Sequence, residues 1–498
     1  MTKLANKPQS AAATKPQAKA VVKAGQRELS IRMYRHGLGD CFLLGLPGKD
    51  RTFWMMIDCG VALATKERAR VFKELITDVE KVVKEDGRTK PCIDLLVITH
   101  EHYDHVSGFA HVGAEFKALG VREIWFPWTE DPHDPLARDL RKERELRKER
   151  LAKSLDAMKA AGHGDSAFAL GMEGLLEFFG TDASGAKPGS SMTEAMKTIR
   201  GLTDNVRYCR PNDLLTDAHG LPQDLRIFVL GPPTDPQLLR RTGARGVHYE
   251  RFAANEKSFF AAVEGGQAAE DFSPFDAGVG APLRDWMAKA ENLNMAGKDS
   301  DPYVAFLQEH YVGETADRRD QGWRRIDGTW YGSAAEFALQ LDGATNNTSL
   351  VLAIEDVKTG KVFLFPGDAQ VGNWQGWERC SWTLDDRERV TASELLRRTV
   401  FYKVGHHGSE NATLRQNGLE RMISSELTAM IPVNAETAVA LNWNHMPLEN
   451  LIAALEAATN GRTIRSDQAY KDPSKTRNQE LLASMDEQTL FQHVRFPL

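Results

Sequence analysis

The chain has 498 residues, 42% of them hydrophobic and 27% charged, an ordinary globular balance with enough apolar residues for a large core. A formal net charge of −6 excludes a generally basic surface of the kind that coats nucleic acid or a membrane. Five scattered cysteines form no CxxC pair, which argues against a disulfide framework and against a cysteine zinc cluster.

The first residues differ in composition from the rest of the chain. Residues 1–27 mix lysine with alanine, proline and glutamine, and we predict a disordered basic tail there. No secretory signal and no apolar run of the ~18 residues needed to span a bilayer are visible, so we expect a cytoplasmic protein without membrane contact. For residues 28–498 we predict one α/β domain with insertions at about 129–204 and 234–333.

The block from residue 29 to residue 128 alternates strand-like and helix-like segments. Alternation in LSIRMYRHG and apolar runs in CFLLGL, TFWMMID and CIDLLVIT predict strands. Helices are predicted at 62–85 and 104–118, and another strand at 122–128. This order is typical of a sheet with helices packed on one face.

The two insertions are harder to interpret. Residues 136–161 predict a long, highly charged helix that we expect to be solvated, with contact to nucleic acid or a protein partner as the alternative. Residues 165–201 are also predicted to be helical. Residues 234–333 show no usable periodicity, and such a long insertion would be a lid or a substrate-selecting subdomain.

Strand patterns dominate the remainder of the chain. We predict strands at 205–211, 224–233, 336–343, 348–356, 361–368, 399–405 and 428–434, with closing strands at RTIRSD and TLFQHVRF. Helices are predicted at 391–398 and 447–459. The two strand-rich blocks would form two sheets packed face to face, with helices outside.

The strongest chemical signal is the heptapeptide Thr99-His100-Glu101-His102-Tyr103-Asp104-His105, between a buried strand and a helix. Imidazole and carboxylate groups suit zinc and similar divalent ions. Four such groups can surround one site only where the chain turns sharply, as at a strand-to-helix junction. A carboxylate at the start of the helix is also stabilised by the helix dipole. The motif therefore predicts a metal centre.

This HxHxDH run resembles the hallmark of the metallo-β-lactamase superfamily. The resemblance continues in Gly37-Leu38-Gly39-Asp40, Ile57-Asp58-Cys59-Gly60, Pro366-Gly367-Asp368 and Gly405-His406-His407-Gly408-Ser409. With Asn347-Thr348-Ser349-Leu350-Val351 and Asn444-His445-Met446-Pro447, the later motifs are most similar to the ComEC-type hydrolase domain and its stand-alone relatives. The resemblance implies an αββα four-layer sandwich with two large insertions and a metal-dependent hydrolase activity.

The resemblance also implies a set of metal ligands. One or two divalent ions would bind, Zn²⁺ first and Mn²⁺ as the alternative. His100 and His102 would bind one ion, and Asp104 and His105 the second. Asp368 would bridge the two ions. His406 would complete the second ion's ligands.

Further residues receive supporting roles from the same resemblance. His407 would be a proton-transfer group, although His406 and His407 could exchange roles. Asp58 and Asn347 would orient the ligands by hydrogen bonds. His445 would contact the substrate or stabilise a leaving group. The predicted catalytic residues are thus Asp104, His407 and His445.

One departure from the superfamily pattern concerns the first ion. Many members supply a further histidine to it from the middle of the chain, and no convincing equivalent is present here. The histidines of that region, His163, His219, His248 and His310, lie in or beside the insertions without strand-end context. The first ion would therefore be held more weakly or be of a different kind.

A metal-activated water makes hydroxide available near neutral pH, which suits hydrolysis. The leading expectation is a phosphodiesterase or nuclease, because the resemblance is to ComEC-type hydrolases, with nucleic acid or another phosphodiester as substrate. One alternative is hydrolysis of a small ester, lactone or thioester in a narrow apolar pocket. The other is a partner-dependent effector or binding protein with a slow metal site.

Overall fold

The structure is a computed structural model that describes residues 27–85, 90–160, 167–177, 179–180, 190–218, 220–241, 329–384, 388–441, 443, 445–471 and 478–498. The predicted basic tail, apart from Arg27, and most of the second insertion lie outside the described residues. Strands and helices of the described residues are numbered below in chain order.

The first sheet of the described part has eight strands. They are β1 (Glu28–Tyr34), β2 (Phe42–Pro47), β3 (Thr52–Ile57), β4 (Ile93–Val97), β5 (Val121–Pro127), β6 (Val206–Cys209), β16 (Met485–Glu487) and β17 (Phe491–Pro497). Their order is β16-β17-β1-β2-β3-β4-β5-β6. Strands β3 to β6 run parallel, so the loops that follow β3 and β4 lie side by side at one edge of the sheet.

The second sheet has seven described strands in the order β15-β14-β13-β10-β9-β8-β7. They are β7 (Leu214–Leu215), β8 (Leu225–Gly231), β9 (Val351–Asp356), β10 (Val362–Phe365), β13 (Thr399–Lys403), β14 (Thr428–Ile431) and β15 (Thr463–Arg465). The strands β11 (Ser381–Thr383) and β12 (Arg389–Thr391) pair separately. Strands β10 and β13 are parallel neighbours, so the loops that follow them also meet at one edge.

Helices cover the outer face of each sheet. On the first sheet these are α1 (Arg68–Lys84), α2 (Tyr103–His111), α3 (Gly113–Leu119) and α6 (Ser190–Arg200). On the second they include α9 (Val371–Trp377), α10 (Ala392–Arg397), α11 (Ala435–Ala440) and α12 (Glu449–Thr459). The remaining described helices are α4 (Pro135–Ala160), α5 (Ala167–Glu177), α7 (Pro236–Leu239), α8 (Thr329–Asn346) and α13 (Gln479–Ser484).

The main core lies between the two sheets. In β1 the alternating residues Leu29, Ile31 and Met33 are fully buried, as the sequence pattern predicted. Phe42 of the first sheet meets Phe365 of the second edge to face, with ring centroids 6.1 Å apart. Two stacked sheets with helices on both outer faces confirm the predicted αββα four-layer sandwich. No helix among the described residues is long and apolar enough to cross a membrane.

One secondary-structure prediction was wrong in a place that concerns the site. Residues 336–343 were predicted to form a strand, but they belong to helix α8. Ala338 and Leu341 are buried while Leu339 is 58% exposed, so burial follows the helical period and not alternation. The second insertion thus ends in a helix whose last turns adjoin the HxHxDH motif.

Candidate metal centre

The HxHxDH motif occupies the turn between β4 and α2. His102 is the N-cap of α2 with an extended backbone, and its carbonyl accepts hydrogen bonds from the amides of His105 and Val106. This turn directs His100, His102, Asp104 and His105 inward, and none of the four is more than 1% exposed. The local sequence therefore places four groups capable of metal binding in a buried space at the sheet edge.

A compact group of four candidate metal-binding residues, called the four-ligand group below, forms where three loops meet. Asp104, His105, Asp368 and His407 each offer one atom, and these atoms all lie within 4.8 Å of one another. Nε2 of His105 lies 3.1 Å from Oδ2 of Asp368, and Nε2 of His407 lies 2.7 Å from Oδ2 of Asp104. Two carboxylates and two imidazoles at these distances suit a divalent ion such as zinc or manganese.

The loop after β10 delivers Asp368 through a close approach of two backbones. Gly367 has a φ of 57°, and a Cβ on it would lie 2.9 Å from Cβ of Thr99. Any larger residue would push this loop away from the HxHxDH motif. The Asp368 amide donates to Oγ of Ser349, which fixes the turn further.

Hydrogen-bond acceptors behind the imidazole rings set the orientation of His105 and His407. Nδ1 of His105 donates to Oδ2 of Asp58 at 2.8 Å, and Nδ1 of His407 donates to the carbonyl of Pro432 at 2.6 Å. Asp58 also accepts hydrogen bonds from the amide and the hydroxyl of Thr99. With each Nδ1 engaged in this way, Nε2 of both histidines is directed at the four-ligand group, where the neutral ring would offer its lone pair to a metal ion. Asp58 thus lies where a ligand-orienting role was predicted.

His100 and His102 lie beside this group. Nε2 of His100 is 3.0 Å from Nδ1 of His102, and the His100 and His105 rings are 4.2 Å apart between centroids. Nδ1 of His100 lies 3.0 Å from the hydroxyl of Thr99, which in turn donates to Asp58. Two imidazole nitrogens therefore face one another next to the four-ligand group, and neither residue belongs to that group.

The structure separates His406 from His407. His407 belongs to the four-ligand group, whereas Nδ1 of His406 lies 2.6 Å from Oγ of Ser409 and its Nε2 lies 3.4 Å from Nδ2 of Asn346. The geometry thus favours the alternative in which the two histidines exchange their predicted roles. Both residues have positive φ values, 45° and 52°, a strained conformation that is common at functional sites. Burial lowers the pKa of His406 to about 4, although Asp368 opposes this shift.

The predicted supporting residues Asn347 and His445 lie apart from the four-ligand group. Nδ2 of Asn347 donates to the carbonyls of Leu239 and Arg241, so its side chain holds the chain after α7. His445 is exposed, in a segment that the amide of Leu448 ties to the carbonyl of Gly408. The histidines at 163, 219, 248 and 310 lie outside the described residues.

Sequence reasoning did not find a buried ion triad beneath the site. Nζ of Lys403 lies 2.5 Å from Oδ2 of Asp40 and 2.8 Å from Oδ1 of Asp368, and all three side chains are at most 2% exposed. Burial alone would lower the pKa of Lys403, but the two carboxylates raise it above its usual value. The signal was a single lysine within the otherwise apolar strand TVFYK.

We use the term floor for the strand-end loops at 99–105, 366–368 and 405–408 together with Asp40, Asp58 and Lys403. The term roof denotes helices α4, α5 and α8, which share an apolar cluster of Leu151, Leu155, Ala169, Met172, Leu176, Phe179, Ala338 and Leu341. The ring of Phe179 meets that of His102 edge to face at 4.9 Å. The roof therefore packs directly on the metal-binding motif.

The charged helix α4 is less solvated than predicted. Arg144 and Lys148 are only 7% and 5% exposed. Nη2 of Arg144 donates to Glu101 of the HxHxDH motif at 2.7 Å and to Glu130 at 3.2 Å. The reason is tertiary pairing, because the buried Glu130 and the partly buried Glu101 need a cation that this helix provides.

Helix α8 adds Asp342, which the predicted strand at 336–343 had hidden, and Asn346 in its last turn. Oδ1 of Asp342 lies 3.8 Å from Nε2 of His102, and Nδ2 of Asn346 donates to Oδ2 of Asp342 at 3.1 Å. Burial raises the pKa of Asp342 well above its usual value, and the nearby Asp104 and Asp368 raise it further. Asp342 and Asn346 are four residues apart, so a helix places them on the same face.

The donor set fits a divalent cation. Among the described residues, one side-chain oxygen of each of Asp40, Asp104, Asp342 and Asn346 is buried without a hydrogen-bond partner. Buried oxygens with unfilled acceptor capacity are rare in folded proteins, and ion coordination is one way to satisfy them. The roles of the individual side chains as ligands remain predictions.

Comparison with known proteins agrees with this geometry over part of the chain. Residues 35–171 match the sequence model of the metallo-beta-lactamase superfamily. The match includes the whole HxHxDH motif and ends before Asp368 and His407. No curated protein matches the chain.

Proposed function

We propose that this protein is a phosphodiesterase that depends on two divalent metal ions. The superfamily match and the buried histidine and aspartate cluster point to metal-dependent hydrolysis. The substrate class is the proposal. It draws support from the similarity of the later motifs to ComEC-type hydrolase domains. It also draws support from the position of His100 and His102 next to the four-ligand group.

The observation that carries the proposal is the orientation of the imidazoles. Nδ1 of His105 donates to Asp58 and Nδ1 of His407 donates to the carbonyl of Pro432, so both Nε2 atoms are directed at Asp104 and Asp368. A cluster that served only to pack the core would not need each ring held with its Nε2 directed at two carboxylates.

The candidate residues would have separate roles in binding metal and in moving protons. Asp104, His105, Asp368 and His407 would hold one ion, and His100 and His102 would contribute to the second. A bound divalent ion lowers the pKa of a coordinated water and offsets negative charge on a phosphoryl oxygen. His406, whose amide donates to Asp368, would be placed for proton transfer, whereas the exposed His445 would reach a leaving group only if the substrate extends beyond the buried site.

Two adjacent ions favour phosphoryl chemistry. Paired ions stabilise both the attacking and the leaving oxygen of an in-line displacement at phosphorus. Lys403 lies on the far side of Asp368 and would keep that carboxylate ionised and directed at the ions. The overall charge of −6 implies that an anionic substrate is held by the ions and not by the general surface.

The test is hydrolysis of bis(p-nitrophenyl) phosphate by full-length protein stripped of metal and then supplied with Zn²⁺ or Mn²⁺. We expect metal to restore turnover and Asp104→Ala to lower kcat/KM by roughly three orders of magnitude. Asp139→Ala changes an exposed aspartate of α4 and is the matched control. Metal-loaded protein that does not cleave the diester would contradict the phosphodiesterase assignment.

A second candidate follows from the closed roof. No predicted metal ligand is more than 6% exposed, and Phe179 packs against His102. A covered, partly apolar site suits a small ester, lactone or thioester better than a long polymer. Assays with p-nitrophenyl acetate, a γ-lactone and an acyl thioester under the same conditions separate the two candidates. Inactivity towards every substrate with metal bound would favour the partner-dependent effector.

A further inference from the structure

Within the described residues, no histidine from the middle of the chain joins His100 and His102. Helix α8 lies against this pair from the roof. Its apolar residues Ala338 and Leu341 join the roof cluster, whereas Asp342 and Asn346, one turn apart, face the histidines of the floor. One helix face therefore brings a carboxylate and an amide to the place where the ligand set is incomplete.

The contacts of these two residues leave two oxygen atoms open. Asn346 donates its amide to Oδ2 of Asp342 at 3.1 Å, and the same amide lies 3.4 Å from Nε2 of His406. Oδ1 of Asp342 and Oδ1 of Asn346 are buried without a hydrogen-bond partner. The 3.8 Å between Oδ1 of Asp342 and Nε2 of His102 is too long for a hydrogen bond.

Packing alone does not explain a carboxylate at this place. Asp342 is 4% exposed and Asn346 is fully buried, and an uncompensated buried carboxylate is costly. The site gathers five buried aspartates, listed here: Asp40, Asp58, Asp104, Asp342 and Asp368. Lys403 pairs with only two of them, Asp40 and Asp368. The imidazoles of His105 and His407 contact Asp58 and Asp104, whereas the only basic group within 4 Å of Asp342 among the described residues is His102, at 3.8 Å. A cation close to Asp342 would therefore compensate its charge.

We propose that Asp342, together with Asn346, supplies oxygen ligands to the ion held by His100 and His102, in place of a third histidine. This inference rests on the proposed two-ion site. It gives the first ion a mixed nitrogen and oxygen ligand set, which binds harder ions such as Mn²⁺ better than a set of histidines does. It also couples that ion to the roof, because α8 carries two of its ligands.

The experiment counts bound metal and needs no substrate. Full-length wild type, Asp342→Ala, Asp342→His and Asn346→Ala are dialysed against Mn²⁺ or Zn²⁺, and bound ions per chain are measured by plasma mass spectrometry, with affinities from competition titration. Leu339→Ala, an exposed position of the same helix, is the control. Circular dichroism and thermal melting confirm that each variant is folded.

We expect two ions per chain in wild type and in Leu339→Ala. Asp342→Ala should retain one tight ion and bind the other at least about tenfold more weakly. Asn346→Ala should have a smaller effect in the same direction. Asp342→His should keep two ions but shift the preference at the weaker site from Mn²⁺ towards Zn²⁺ by about tenfold.

Three outcomes would overturn the inference. Asp342→Ala could bind two ions as tightly as wild type, or wild type could bind only one. Asp342→His could keep the metal preference of wild type, which would make Asp342 a positioning residue for His102. If Asp342→Ala does not fold, Asp342→His and Asn346→Ala decide. Loss of an ion from Asp342→Ala in a protein that cleaves no phosphodiester would uphold this inference and reject the proposed substrate.

Discussion

The floor and the roof enclose the same histidines and aspartates, but they are held in place by different forces. The floor consists of short loops whose flanking strands are hydrogen-bonded into the two sheets, with Lys403 and Asp58 fixing the carboxylates and imidazoles from below. The roof consists of helices that reach the site through a few side chains, among them Arg144 of α4 on Glu101 and Phe179, just after α5, on His102.

This difference predicts that the floor is more rigid than the roof. Sheet ladders on both sides hold the floor, so its geometry should persist with or without the roof. The roof depends on one small apolar cluster and a few polar contacts, and it should open at lower free energy than the floor. A buried site of this kind needs such an opening for substrate to enter.

The largest effect is expected in the floor, from Lys403→Met. The substitution leaves Asp40 and Asp368 buried without their shared cation, and breaking such a pairing costs about 3–5 kcal/mol of unfolding free energy. Urea denaturation of metal-free protein measures this change. Added metal should reduce the loss, because a divalent ion restores positive charge beside Asp368.

Lys358→Met is the control, since Lys358 is exposed and its partner Asp224 is also partly exposed. Its effect should be within about 1 kcal/mol. Equal stability of Lys403→Met and wild type without metal would show that the floor does not depend on this triad.

A smaller effect is expected in the roof, from Arg144→Met. Glu101 loses its ion pair with Arg144, while Glu130 keeps its ion pair with Arg200 at 3.0 Å. We expect the free energy of unfolding to fall by about 2–3 kcal/mol. Hydrogen exchange should accelerate more in α4 and α5 than in β4, relative to wild type. Arg138→Met, at an exposed position of α4, should leave exchange unchanged. Uniformly faster exchange in floor and roof would refute the separation of the two parts.

The floor could be predicted from sequence because its candidate ligands follow buried strands. His100, His102, Asp104, His105 and Asp368 each belong to a short motif in which the residue type and the preceding apolar run are visible in the sequence. The choice between His406 and His407 could not be made, because it depends on which ring the carbonyl of Pro432 fixes. That contact joins loops that are distant in the chain.

The roof could not be predicted, for two physical reasons. Leu339 and Leu341 alternate with polar residues as in a strand, and only tertiary packing shows that Leu341 is buried and Leu339 is not. In α4, the charge pattern does not reveal which arginine meets Glu101, because the pairing spans 43 residues. Asp342 was missed as a consequence of the first error.

The smallest effect concerns acid stability, and it lies outside both floor and roof. Burial lowers the pKa of His493 in β17 to about 3, and the neighbouring Arg32 and Arg495 lower it further. Since the unfolded chain binds this proton below pH about 6.5, the folded state loses stability as pH falls through that value. Between pH 7 and pH 5, wild type should lose about 2 kcal/mol more unfolding free energy than His493→Gln. Urea denaturation of metal-free protein at both pH values measures the difference. If the two proteins lose the same amount, acid sensitivity comes from other groups, with the floor's buried carboxylates and histidines the first to examine; if they differ as expected, subtracting the His493 contribution isolates the acid response of the floor.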